Sequence, residues 1–142
     1  MAIFRPEDEA RVRNLFAELE RPVDLLVALG PEETPLPGAR DVDFAAETER
    51  VVAGLAALSE LVSYRAEVEP PGFERYPAVA VRPDGRDAGV RYDGLPWGYE
   101  LGSLIGAVLE AGRGESSLAA ASLERLATLE RELAIDVFVT PT

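Results

Sequence analysis

Apolar residues along this chain switch between a helical and a strand period. Val12, Leu15, Phe16 and Leu19 recur at helical spacing behind Pro6-Glu7-Asp8-Glu9. That opening suits a helix start, with a proline in the first turn and acids at the positive end of the dipole. Arg21-Pro22 stops the helix, and Val23 to Leu29 form the short apolar run of a buried central strand. Asp41 or Asp43 can cap the next helix, whose stripe is Thr48, Val51, Val52, Leu55 and Leu58. Leu61 to Val68 alternates as a second strand. Laid parallel to the first, with the helix as crossover, it completes a right-handed βαβ unit.

The stretch from Tyr76 to Ile105 reads as strand, tight turn, strand, glycine turn and helix. Val79 and Val81 alternate with smaller or polar residues. Pro83-Asp84-Gly85 supplies a turn, in which proline presets φ and glycine accepts a positive φ. Val90 and Tyr92 carry the returning strand, and Gly94-Leu95-Pro96 stops it. Pro96 suits the first turn of the following helix, which presents Leu101, Leu104, Ile105 and Val108 on one face. Ala111-Gly112-Arg113-Gly114 ends that helix. Glu115-Ser116-Ser117 can start another, with Leu118, Leu126, Leu129 and Leu133 as its apolar face. Ile135 to Thr142 then repeats a strand pattern.

The chain of 142 residues has no Cys and no His, and a net charge of −12. A length of this order suits one domain with a single sizeable core. Without Cys there is no disulfide, thiolate nucleophile or thiolate-bound metal; without His the commonest base near neutral pH is missing. The acidic balance disfavours nucleic acid and anionic membrane surfaces as partners. No run reaches membrane-spanning length and the N-terminus is too polar for a signal peptide, so a cytoplasmic location is expected. Glu7-Asp8-Glu9 as a metal or substrate cluster weighs less than the same residues as a solvated first helical turn. Glu67 and Glu69 as paired catalytic carboxylates weigh less than exposed charges at a strand end. The chain thus offers no catalytic residue, no metal site and no cofactor site.

The order of these signals resembles a thioredoxin-like fold. Gly89-Val90-Arg91-Tyr92-Asp93-Gly94-Leu95-Pro96-Trp97-Gly98-Tyr99-Glu100 is similar to the equivalent segment of two related families. One is the glutaredoxin-like protein disulfide oxidoreductases, built from two tandem thioredoxin folds. The other is the N-terminal domain of the alkyl hydroperoxide reductase flavoprotein, also a tandem pair. In active thioredoxin folds the first strand leads into Cys-x-x-Cys; here the place reads Gly30-Pro31-Glu32-Glu33-Thr34-Pro35-Leu36-Pro37-Gly38-Ala39-Arg40, without a thiol. The resemblance implies a cis peptide bond at Tyr76-Pro77, on the edge that shapes a substrate groove in active relatives. Gly94, Trp97 and Tyr99, at the start of the following helix, are a candidate recognition patch, weighed against Trp97 simply covering the end of the sheet.

The expected fold is therefore α/β: a thioredoxin-like unit with a four-stranded mixed sheet flanked by helices over residues 1–112. Residues 113–142 add a helix and an orphan strand, resembling the opening of a truncated second unit. The function this implies is a redox-inactive module of a disulfide oxidoreductase system. It would be a scaffold or docking surface for a redox-active thioredoxin-like unit or a peroxiredoxin-type protein. The alternative is a standalone interaction or oligomerisation protein without redox chemistry. An orphan strand needs partners for its backbone, so a homodimer through residues 115–142 is also expected.

Overall fold

A computed structural model describes residues 3–31 and 42–139. Helix α1 spans Pro6–Phe16, with proline at its start and Glu7, Asp8 and Glu9 in its first turn. Val12 and Phe16 are buried, whereas Leu15 faces solvent; Leu19 is buried just past the helix. Strand β1, Val23–Leu29, follows. Helix α2, Phe44–Ala56, is capped by Asp43, whose side chain accepts the Ala46 N–H at 2.9 Å. The alternative cap, Asp41, and most of the Gly30–Arg40 loop lie outside the described residues. Thr48, Val51, Val52 and Leu55 form the buried stripe of α2. Leu58, expected on the same stripe, is buried beyond the last turn.

Strand β2, Val62–Val68, runs parallel to β1, with Val23 beside Val62 and Leu29 beside Val68. Helix α2 is thus the crossover of a βαβ unit. Strand β3, Ala78–Pro83, returns antiparallel along β1, and β4, Val90–Asp93, pairs antiparallel with β3. The turn after β3 places Asp84 at φ 50° and Gly85 at φ 72°. The sheet order is β2-β1-β3-β4, mixed and four-stranded.

Helix α3 spans Tyr99–Gly112 and so begins three residues after Pro96, not around it as the sequence pattern suggests. Gly98 decides the difference: its φ of 64° and ψ of −129° belong to a region open to glycine, so a helix cannot run through it. Leu104 and Val108 are buried and Leu101 and Ile105 pack against the core, the expected stripe. Gly114, at φ 80°, receives the chain after the helix.

One core holds these elements together. Val23, Leu25, Val27, Val62, Val79 and Val81 face α1, α2 and α3 from the sheet. The other sheet face carries Leu26, Ala28, Ala78 and Ala80, all buried, and no described helix covers it. The connection from Pro70 to Tyr76 lies there instead, as the walls of a cavity over Leu26 and Ala80 show. Glu67 pairs with Arg65 at 3.3 Å on this face, and Glu69 lies beyond the strand end. Glu69 is exposed, as expected of a strand-end charge, whereas Glu67 is half-buried and lines that cavity.

The C-terminal region departs from expectation in two ways. Helix α4 is short, Ala120–Ala127, and buries no residue. Its expected start at 115–117 is taken by other bonds, since the Ser117 N–H and hydroxyl both donate to Glu110, at 2.7 and 2.9 Å. Residues 132–139 form no strand, and Ile135, Val137, Phe138 and Val139 are exposed. A strand exists only through a ladder, and among the described residues nothing pairs with the segment. Thr140 to Thr142, the rest of that expected strand, lie outside the described residues.

Candidate functional site

Three chain reversals meet at one end of the sheet. Gly30 ends β1, Tyr76-Pro77 opens β3 and Gly94 closes β4. The Tyr76-Pro77 peptide bond is cis. The Tyr76 ring lies directly over Gly30, so close that a Cβ at Gly30 would sit 2.8 Å from Tyr76 Cβ and nearer still to the ring. The Tyr76 hydroxyl donates to the Phe73 carbonyl at 3.0 Å. The Pro77 carbonyl accepts the Gly94 N–H at 2.7 Å, tying the Tyr76-Pro77 corner to the turn before Trp97. Gly94 itself sits at φ 94°.

Trp97 is half-exposed, at 49%, and stacks on Phe4 with ring centroids 6.4 Å apart and planes 13° apart. It borders a groove of about 530 Å³ with Leu95, Ile3, Val42, Val51 and the Glu47–Arg50 pair. Tyr99, at 89% exposed, lies outside that lining. The structure therefore brings Gly94 to Pro77 and sets Trp97 on a groove, while Tyr99 is apart. Ile3, Phe4, Val42 and Leu95 do not stand out in the sequence. They come from the N-terminal segment, the start of α2 and the β4–α3 connection, and no local period joins them. Burial in the first turn of α3 pushes the Glu100 carboxyl above its usual range.

A second, smaller cavity of about 210 Å³ lies on the helix-free sheet face. Its rim is organised by Asp87 and Arg91. Arg91 donates two hydrogen bonds to the Asp87 carboxylate, and the Gly89 N–H donates a third at 2.8 Å. The same guanidinium lies 4.5 Å over the Phe73 ring, fastening the Pro70–Tyr76 connection to the sheet. These bonds, that from Arg91 first, hold the Asp87 carboxyl down at about 2 from 3.8. A carboxyl depressed on folding stabilises the fold above its unfolded pKa and loses that contribution as pH falls through the folded one. Stability from Asp87 is thus expected to fade between about pH 4 and pH 2. Thermal melts should show Asp87→Asn less stable than the parent near neutral pH and level with it once the carboxyl is protonated. Equal melts at neutral pH would refute the Asp87–Arg91 contribution.

Among the described residues no group of three or more acidic, His or Cys side chains could hold a metal ion. Among the same residues no helix is long and apolar enough to cross a membrane.

No protein-family model matches the sequence. The chain is similar to the alkyl hydroperoxide reductase AhpF of Pseudomonas putida, 23% identical over 130 residues, covering 92% of this chain and 22% of that protein. The AhpF of Xanthomonas campestris pv. phaseoli is 31% identical over 84 residues, or 59% of this chain and 16% of that protein. The chain thus spans about a fifth of the length of these relatives. Among solved structures, the NTD_N/C domain of alkylhydroperoxide reductase AhpF from Enterococcus faecalis superposes with a TM-score of 0.75 at 21% identity. That match covers 90% of this chain and 62% of the other. A protein disulfide oxidoreductase from Aeropyrum pernix gives a TM-score of 0.70 at 22% identity, over 88% of this chain and 55% of that one. The fold is that of a thioredoxin-like unit, similar to the NTD_N/C domain of AhpF and to part of the protein disulfide oxidoreductase.

Proposed function

We propose that this chain is a redox-inactive thioredoxin-like module of a peroxide- or disulfide-reducing system, serving as scaffold or docking surface. Its partner would be a redox-active thioredoxin-like unit or a peroxiredoxin-type protein. One observation carries the reading. The Gly30, Tyr76-Pro77 and Gly94 corner adjoins a groove bordered by half-exposed Trp97, yet the whole chain contains no Cys. Such a surface can hold a partner's segment and cannot exchange a disulfide with it. The similarity to AhpF names the kind of system in which that partner would be found. Residues 1–112 would be the complete unit and 113–142 the start of a following one, in keeping with a core that ends at Leu109.

The test is calorimetric titration of the chain with a Cys-x-x-Cys thioredoxin-like unit and, separately, with a peroxiredoxin. Binding to one of them is expected. Buried aromatic anchors contribute about 2 kcal/mol or more at interfaces, so Trp97→Ala should weaken it roughly tenfold or more with the far-ultraviolet spectrum unchanged. Absence of binding to both would overturn the proposal. The second reading, a standalone interaction protein, is favoured by the exposed apolar residues of α4 and the segment beyond it.

A further inference from the structure

The connection between β2 and β3, residues 70–76, lies on the sheet face that no described helix covers, and little holds it there. It is entered at Glu69, whose N–H donates to the Leu29 carbonyl at 2.7 Å. It ends at Pro77, whose carbonyl accepts the Gly94 N–H. Between these two bonds, among the described residues, the connection makes no backbone–backbone hydrogen bond. Pro70 and Pro71 have no N–H to give. Pro70, Pro71 and Phe73 wall the cavity of about 210 Å³ that lies over Leu26 and Ala80. That open space forgoes the close contacts by which packed layers hold one another. The remaining attachments are side chains from β4. Arg75 meets Asp93 at 3.2 Å, an exposed ion pair of the kind that contributes little. Arg91 lies 4.5 Å over the Phe73 ring, and its two bonds to Asp87 fix the guanidinium independently of that ring.

We propose that residues 70–76 are a strap, latched by Arg91 on Phe73, that opens from the sheet as a unit and in opening lifts Tyr76 off Gly30. Segments with few backbone bonds and few buried contacts open well below the free energy of global unfolding. The chain has pivots for the movement at Glu69, at φ 47°, and at Gly72, at φ 85°. Tyr76 joins the strap to the corner of the candidate site. Its hydroxyl donates to the Phe73 carbonyl, and its ring lies on Gly30. Displacing Phe73 therefore pulls the tyrosine away from its seat. The consequence for docking rests on the function proposed above. The closed strap is the competent form, because a seated Tyr76 keeps Pro77 bonded to Gly94 in the turn before Trp97. Affinity for the partner is then scaled by the fraction of molecules whose strap is closed.

The absence of native Cys lets opening be read as the labelling rate of a single introduced thiol. Ala80→Cys places it under the strap, at a position 1% exposed, and Val52→Cys places it in the core on the helix side. With dithiobis(nitrobenzoate), Ala80→Cys should react at least roughly tenfold faster than Val52→Cys and depend less steeply on low concentrations of urea. Phe73→Ala should speed Ala80→Cys roughly 2- to 30-fold, the span of a cation–ring contact. Gly30→Ala, which crowds Tyr76 from the other end, should speed it roughly fivefold or more. Val12→Ala weakens the core without touching the strap, so it should speed Val52→Cys alone. Equal rates and urea dependence for the two thiols, or an Ala80→Cys rate indifferent to Phe73→Ala or to Gly30→Ala, would overturn the proposal. Labelling uses the chain alone, so its failure leaves the docking titration standing, and failure of that titration leaves the strap standing.

Discussion

Phe16→Ala is expected to lower the stability of the fold by about 3–5 kcal/mol, the range for truncating a buried phenylalanine. Phe16 is 2% exposed and belongs to the core shared by α1, the sheet, α2 and α3. The region cannot easily collapse into the space left behind. The N–H groups of Glu20 and Arg21 both donate to the Gly112 carbonyl, at 2.8 and 3.1 Å, and Arg21 Nε donates to the Ala111 carbonyl at 2.7 Å. Leu19 and Val23 press on Gly112, which has no side chain to move aside. These contacts hold the end of α1 against the end of α3, so the cavity should persist. Domains of this size have only about 5–15 kcal/mol in total, and the loss should appear as a fall in Tm on the order of 10–20 °C. Leu126→Ala, on a helix that buries nothing, is the control and should stay within about 0.5 kcal/mol in the monomer. Equal effects from the two would contradict a core confined to the first three helices and the sheet.

That contrast shows what was legible in the sequence. The four strands and first three helices are each specified locally. Val23 to Leu29 reads as one buried run because both of its faces are covered, and Asp43 caps α2 with its own side chain. The hairpin turn at Asp84-Gly85 rests on residues that accept positive φ. The pattern misleads where the deciding residue lies outside it or the deciding partner lies outside the segment. Pro96 is a good first-turn residue, but the backbone of Gly98 sets where α3 begins. Ile135 to Val139 has the right alternation for a strand, yet alternation supplies no hydrogen-bonding partner. The cis bond at Tyr76-Pro77 follows only from the resemblance, because an X–Pro pair alone does not specify its isomer. The groove at Trp97 depends on three distant segments, and Ile3 reaches it from an N-terminal segment that packs, with Phe4, against Gly54 of α2.

Gly30→Ala tests the geometry of the candidate site itself. The added methyl would meet Cβ, Cγ and Cδ2 of Tyr76, atoms at the root of the side chain that no simple rotation clears. Tyr76 is further held by its hydroxyl bond to Phe73 and by the neighbouring Pro77, whose carbonyl is engaged with Gly94. Relief therefore requires the chain at Tyr76 to shift, and overpacking of that kind costs about 1–3 kcal/mol. The same exchange at Gly102 or Gly106 should have the opposite sign. Both lie within α3 with nothing near the added methyl, and Gly→Ala in a helix gains roughly 0.5–1 kcal/mol. Chemical denaturation of the three variants should thus separate them in direction as well as size. Tyr76→Ala removes two of the three blocking carbons, so combining it with Gly30→Ala should show a coupling of about 0.5–3 kcal/mol. Additive effects would mean that Tyr76 is not seated on Gly30, and the convergence of the three loops at this end of the sheet would have to be abandoned.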